Sequence, residues 1–214
     1  MSHSEQARVR VKFCGMTRPD DARYAAHLGA DAIGLIFYPP SPRAVDIDLA
    51  RRVLEAVPAM VTTVGVFVNP GADELDAVLE QVPLDVVQFH GDEPPEQCAR
   101  SSRPWMKAIA MRDDVDLREC ASRYAGARAL LLDTFSVDVR GGTGRTFDWT
   151  RIPRDLSLPI ILAGGLNAGN VGSALGAFRP HALDVNGGVE SAPGIKDHTK
   201  MKAFMNEVQR GQAA

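Results

Sequence analysis

The stretch VRVKFCGMT, residues 9–17, decides how the rest of the chain is read. Val11 and Phe13 alternate with Lys12 and Cys14. That period of two puts the apolar pair on one face of a strand and the polar pair on the other. A lysine and a cysteine sharing one face of a buried-looking strand mean that this face meets something other than a plain apolar core. Gly15 then ends the run abruptly, at the place where a barrel strand would open into its mouth.

Seven further runs of the same kind follow: DAIGLIFY (31–38), TTVGVFV (62–68), DVVQFH (85–90), WMKAIAM (105–111), ALLLDT (129–134), PIILAGG (159–165) and HALDVN (181–186). Helical patterns separate them. The first is PDDARYAAHLG, with Thr17 placed to cap it, Pro19 in its first turn and Gly29 as terminator. A second stops at Pro58, a third at Pro83, and a fourth is short, around PPEQCARS. DVDLRECASRYAG is the fifth, DWTRIPRDL a weak sixth, NAGNVGSALGAF a glycine-rich seventh, and HTKMKAFMNEVQR closes the chain. Eight strand–helix units in 214 residues predict an α/β fold, a single-domain (β/α)8 TIM barrel over residues 9–214 after a flexible tail at 1–8. The alternative is an open doubly wound sheet, disfavoured because eight regular units run without a break in composition.

The composition is that of an ordinary globular protein, 45% hydrophobic and 24% charged, with net charge −3. The mild acidity argues against a nucleic-acid partner, and no apolar run is long enough to span a membrane. Cys14, Cys98 and Cys120 are scattered and odd in number, which disfavours disulfides and zinc and fits a reducing cytoplasm. The five histidines have no metal-ligand spacing. Monomer and homodimer both remain open.

Barrel enzymes keep their chemistry at the C-terminal ends of the strands. Strand seven ends in AGGLNAGNV and strand eight in NGGVESAPG, so Gly164, Gly165, Gly187 and Gly188 lie in adjacent turns, where backbone N–H groups can approach a phosphate. A glycine pair alone would be only a tight turn; two pairs at the two habitual phosphate turns predict a phosphate cradle. RGGTGRTFDW (140–149) lacks the lysine of a nucleotide-binding loop and reads as a lid over the mouth. His90, ending strand four, is either a ligand contact or a strand-end cap. Lys12 points into the barrel if Cys14 does and then needs a carboxylate, for which Asp184 on the neighbouring eighth strand is the candidate.

The segments VKFCGMTRPDDA, DAIGLIFYPPSPRAV, VVQFHGDE, LLLDT, GGTGRTFDW, LAGGLNAGNV and DVNGGVESAPGIKD together resemble phosphoribosylanthranilate isomerase, the Amadori isomerase of tryptophan biosynthesis. The resemblance spans residues 11–202. Phe13 and Phe89 stand where isoleucine and leucine are commoner in that family, and Asn186-Gly187 where a serine-containing pair is. The resemblance implies that Cys14 is the general base and Asp133 the general acid. It also implies that Arg43 contacts the anthranilate carboxylate and that Asp184 touches the substrate. No cofactor is needed, because the iminium formed on ring opening is its own electron sink. A free thiol titrates near about 8.5, so a cysteine base calls for a lowered pKa, with Lys12 as one cation able to supply it. Two other functions compete. One is another phosphate-binding barrel enzyme, an indole-forming cyclase or the histidine-pathway Amadori isomerase, which use a lysine or paired aspartates. The other is a phosphosugar-binding barrel without activity.

Overall fold

The computed structural model describes residues 8–134 and 147–213. Eight parallel strands close into a barrel in chain order: β1 (Arg10–Phe13), β2 (Ala32–Phe37), β3 (Thr62–Phe67), β4 (Val86–Phe89), β5 (Trp105–Met111), β6 (Leu130–Thr134), β7 (Ile160–Leu162) and β8 (Ala182–Val185). Closure runs through β1 and β8, where Lys12 lies opposite Asp184. Each strand sits inside a run picked out by its apolar pattern, so the (β/α)8 reading holds and the open sheet is excluded.

Alternation divides the strand side chains into two apolar layers. Val11, Phe13, Ile33, Leu35, Phe67, Val87, Leu130, Leu132, Leu162 and Leu183 face outward and pack beneath the helices. Val64, Met106, Ala108, Leu131, Ile161 and Ala182 face inward and fill the barrel. Both layers are dense because every strand is covered on one side by helices and on the other by the opposing strands.

The helices are α1 (Pro19–His27), α2 (Ile47–Glu55), α3 (Ala72–Gln81), α4 (Pro95–Cys98), α5 (Leu117–Arg123), α6 (Val171–Ala177) and α7 (His198–Ala213). Local chemistry sets their ends. Asp46 accepts the Leu49 N–H at 2.7 Å to start α2, and Asp116 accepts those of Arg118 and Glu119 to start α5. Gly29, at φ +85°, ends the α1 turn. Thr17 does not cap α1: the cap position is Arg18, and the Thr17 hydroxyl instead donates to the Gly194 carbonyl. The expected sixth helix shrinks to a 3-10 turn, Trp149–Arg151, started by Asp148 and followed closely by Pro153.

The short helical turn expected near Gly188-Val189 is present, but the hairpin that follows it was not foreseen. After β8 comes a 3-10 turn (Gly187–Val189) and then a small antiparallel hairpin, β9 (Glu190–Ala192) with β10 (Ile195–Lys196), turned through Gly194 at φ +79°. It lies against the loops after β1 and β2, as the Thr17–Gly194 bond requires. Arg8, within the expected tail, hydrogen-bonds Asp31. No described helix is long and apolar enough to cross a membrane. Of the loop RGGTGRTFDW, residues 140–146 lie outside the described residues.

Candidate active site

The C-terminal rim gathers the singled-out residues into three groups. In the first, Lys12 Nζ donates to Asp184 Oδ1 at 3.0 Å, a direct result of the β1–β8 register. The two residues are only 3% and 8% exposed, so each charge depends on the other for its neutralisation. Cys14 is next on the same face, 4% exposed, packed on Ile36 and Val66 with Tyr38 partly covering it. Gly34 makes room for this pair. A Cβ there would stand 2.8 Å from Cys14 Sγ and 3.0 Å from Lys12 Nζ.

The electrostatics of this group differ from the expectation. Burial pushes the Cys14 thiol up; Lys12 pulls it back, Asp184 pushes it up again, and the net position is above the ordinary value. The lowered pKa asked of a cysteine base is thus not found, because desolvation and Asp184 outweigh Lys12 and the more weakly acting Lys196. For Lys12, burial works downward, but Asp184 and Cys14 together more than offset it, so the ammonium stands above its ordinary value and stays charged.

In the second group, His90 Nε2 lies 3.1 Å from Asp133 Oδ2, and Thr134 N–H donates to Asp133 Oδ1 at 2.8 Å. His90 follows β4 and Asp133 lies on β6, with β5 between them. They meet because the β5 residue level with Asp133 is Ala110, too small to intervene. His90 Nδ1 contacts Gln88 Nε2 at 2.8 Å. The backbone here is clamped from behind. Lys107 Nζ pairs with Glu93 at 3.0 Å and donates to the Gly91 carbonyl at 2.6 Å, while Glu93 accepts the N–H groups of Gly91 and Asn69.

In the third group, Arg43 is not a solvated arginine. Its Nε and Nη2 grip the Glu190 carboxylate at 2.7–3.1 Å, a fork geometry suited to a carboxylate. Lys196 Nζ donates to the same carboxylate at 3.0 Å and to Asn186 Oδ1 at 2.9 Å. Burial acts to raise Glu190, but Arg43 and Lys196 outweigh it and hold the carboxyl below its ordinary value. Lys196 is itself pulled down by burial, partly offset by Glu190.

The glycine turns are close-packed. Gly164 and Gly165 have φ +81° and +66°. A Cβ on Gly164 would fall 2.2 Å from Thr134 Oγ1, and one on Gly188 would fall 1.9 Å from the Leu166 carbonyl oxygen. These positions therefore require glycine for the approach of the turns after β6, β7 and β8, whatever they bind. Gly187 begins the 3-10 turn beside them.

Four residues of the site were missed in the sequence: Gln88, Glu190, Lys196 and Gly34. Gln88 carried a signal, being polar and two residues before His90, hence on the same inward face. Glu190 and Lys196 carried none, because only the hairpin brings them to Arg43. Among the described residues no cluster of three or more metal-ligating side chains occurs.

A family model described as N-(5'-phosphoribosyl)anthranilate (PRA) isomerase matches residues 11–207. The chain is 56% identical over 202 residues to N-(5'-phosphoribosyl)anthranilate isomerase of Pseudomonas putida strain W619, which covers 94% of this chain and 98% of that protein. Its fold is similar to a crystal structure of phosphoribosyl anthranilate isomerase from Thermotoga maritima, with TM-score 0.88 and 41% identity over 94% of this chain and 99% of that one. A further structure of such an isomerase, in complex with reduced 1-(o-carboxyphenylamino)-1-deoxyribulose 5-phosphate, matches with TM-score 0.84 and 39% identity, covering 94% and 99%.

Proposed function

Because the chain belongs to the phosphoribosylanthranilate isomerase family, and is thus an aldose–ketose isomerase of tryptophan biosynthesis, we propose how its barrel mouth performs the reaction. The substrate is N-(5-phosphoribosyl)anthranilate and the product 1-(2-carboxyphenylamino)-1-deoxyribulose 5-phosphate, reached by an Amadori rearrangement. Asp133 is the general acid and Cys14 the general base. The observation that carries this reading is the placement of both groups on the inward face of one closed barrel. Cys14 directly follows β1 and Asp133 lies on β6, three strands away around the ring.

The steps follow from the chemistry. Asp133 gives its proton to the furanose ring oxygen as the C1′–O4′ bond breaks, and the nitrogen lone pair forms the iminium. The Cys14 thiolate then removes the C2′ proton. The C–H electrons become the C1′–C2′ double bond and neutralise the iminium. The enolamine moves its hydroxyl proton to C1′ and becomes the ketone. The thiol and carboxylate left behind have exchanged one proton and return to their starting state through solvent. Since burial holds Cys14 as a thiol, its thiolate is a minority form and a correspondingly strong base, with Lys12 as the cation that favours it.

Arg43 spends two nitrogens on Glu190, which leaves Nη1 to meet the anthranilate carboxylate. The turns at Gly164-Gly165 and Gly187-Gly188 offer backbone N–H groups to the phosphate. Asp184 keeps Lys12 charged beside the sugar.

The test follows the anthranilate fluorescence as protein is mixed with freshly made phosphoribosylanthranilate. Cys14→Ala and Asp133→Asn are each expected to lose roughly 10²–10⁴-fold in kcat with the circular dichroism unchanged. Turnover near the wild-type rate in either variant removes that residue from its role.

A further inference from the structure

Gln88 and His90 are two residues apart, so both point into the barrel. Gln88 is fully buried. One end of its amide lies 2.8 Å from His90 Nδ1, and the other, Oε1, is buried without a hydrogen-bond partner. Across the ring, Nε2 faces Asp133 Oδ2 at 3.1 Å. For a neutral imidazole, the row Gln88–His90–Asp133 therefore shares its hydrogens over two short contacts, and each protonation state of Asp133 suits only one arrangement of them.

With the amide N–H toward Nδ1, that nitrogen is bare and Nε2 carries the hydrogen. Asp133 then accepts from both His90 and the Thr134 N–H, which is the environment of a carboxylate. With the amide carbonyl toward Nδ1, that nitrogen carries the hydrogen and Nε2 is bare. The contact to Oδ2 then needs a hydrogen from Asp133, which is the environment of a carboxylic acid. The two ends of an amide are nearly equal in size, so half a turn of the group leaves the packing intact. Either orientation strands one end of the amide, so the hydrogen-bond count does not choose between them. The proton on Asp133 does.

Resting on the reading of Asp133 as the acid, we infer that Gln88 is a positioning residue whose carbonyl faces His90 Nδ1, fixing the imidazole as its Nδ1–H tautomer. Nε2 is then left to hold the Asp133 proton until it turns to the sugar ring oxygen. The Asp133 O–H bond breaks, the proton joins the ring oxygen, and the carboxylate is reprotonated from solvent at its open edge, the side chain being 24% exposed. The backbone that carries the ring does not depend on Gln88. The His90 backbone N–H donates to the Phe67 carbonyl at 2.8 Å, and Lys107 holds the next carbonyl, that of Gly91. Replacing Gln88 thus removes the partner that selects the tautomer while the main chain under the ring and the contact to Asp133 remain.

The experiment uses the full chain labelled with ¹⁵N-histidine, with the His90 signals identified by their loss in His90→Asn. Wild type is expected to show Nδ1–H. Gln88→Glu, whose carboxylate can only accept, keeps that tautomer and retains turnover within roughly tenfold of wild type. Gln88→Met loses the acceptor, moves the ring toward Nε2–H and drops kcat about tenfold or more, with KM within about twofold. An Nε2–H ring in the wild type overturns the inference, as does a Gln88→Met enzyme with the wild-type tautomer or the wild-type kcat. Asp133→Asn is measured alongside. An inactive Asp133→Asn beside an unaffected Gln88→Met rejects the role of Gln88 alone. A fully active Asp133→Asn rejects the acid itself, and the tautomer spectra still decide what Gln88 does.

Discussion

Replacing Lys12 by methionine leaves Asp184 buried and without its cation. The two side chains are 4% and 7% exposed, and the 3.0 Å contact is the only ion pair either one makes among the described residues. Breaking such a pair from one side costs about 3–5 kcal/mol, because the remaining charge is neither hydrated nor paired. For a chain of this size that is a fall of roughly 6–20 °C in Tm. Asp184→Asn alone is expected to cost a similar amount, since Lys12 is then the stranded charge. The double variant Lys12→Met/Asp184→Asn buries no charge at all. Its loss reduces to that of a poorly bonded amide, about 1–3 kcal/mol, well short of the sum of the single losses. Urea and thermal unfolding of the four proteins measure this cycle. If the double variant loses the full sum, the two residues are not coupled and the account of the Lys12–Asp184 pair is wrong. The direction of the Lys12 shift gives a second check. Its pKa is raised in the fold, so its contribution is fully present below the ordinary value of 10.5 and is lost only as pH rises beyond that.

Two more outcomes follow from the same geometry. Gly188→Ala drives a Cβ to 1.9 Å from the Leu166 carbonyl oxygen, so the turns after β7 and β8 must part; KM for the phosphosugar should rise roughly tenfold or more. Gly172→Ala in α6 meets nothing within 4 Å and is the control that should leave KM alone. Glu190 is held below its ordinary value of 4.5, so it adds stability above that pH and loses it as pH falls through its folded value. Unfolding free energies taken from about pH 7 down to about pH 3 should fall less steeply in Glu190→Gln than in wild type, and parallel curves would contradict the Arg43–Glu190–Lys196 network.

Cys14 illustrates how far local reasoning reaches. Its face and its place at the rim follow from a period of two ending in glycine, and the structure agrees on both, with Cys14 just past the end of β1. Its acidity does not follow, because desolvation is a property of everything packed around the sulfur, and that packing comes from β2 and β3. Arg43 shows the same division. The resemblance marked it as a carboxylate binder, yet the carboxylate it holds is Glu190, delivered by a hairpin with no clear signature in the chain.

Repetition of short-range pattern was enough for this sequence to determine eight strands, seven of the eight helices expected and the rim on which chemistry is placed, since each depends on spacing along a few neighbouring residues. Register and folding back decided the rest: that His90 reaches Asp133 over Ala110 and that Lys196 meets Glu190, whereas the Lys12–Asp184 pair was legible from strand order in a closed barrel. Such pairs are far apart in the chain, and their energies depend on burial, which exists only once the barrel has closed.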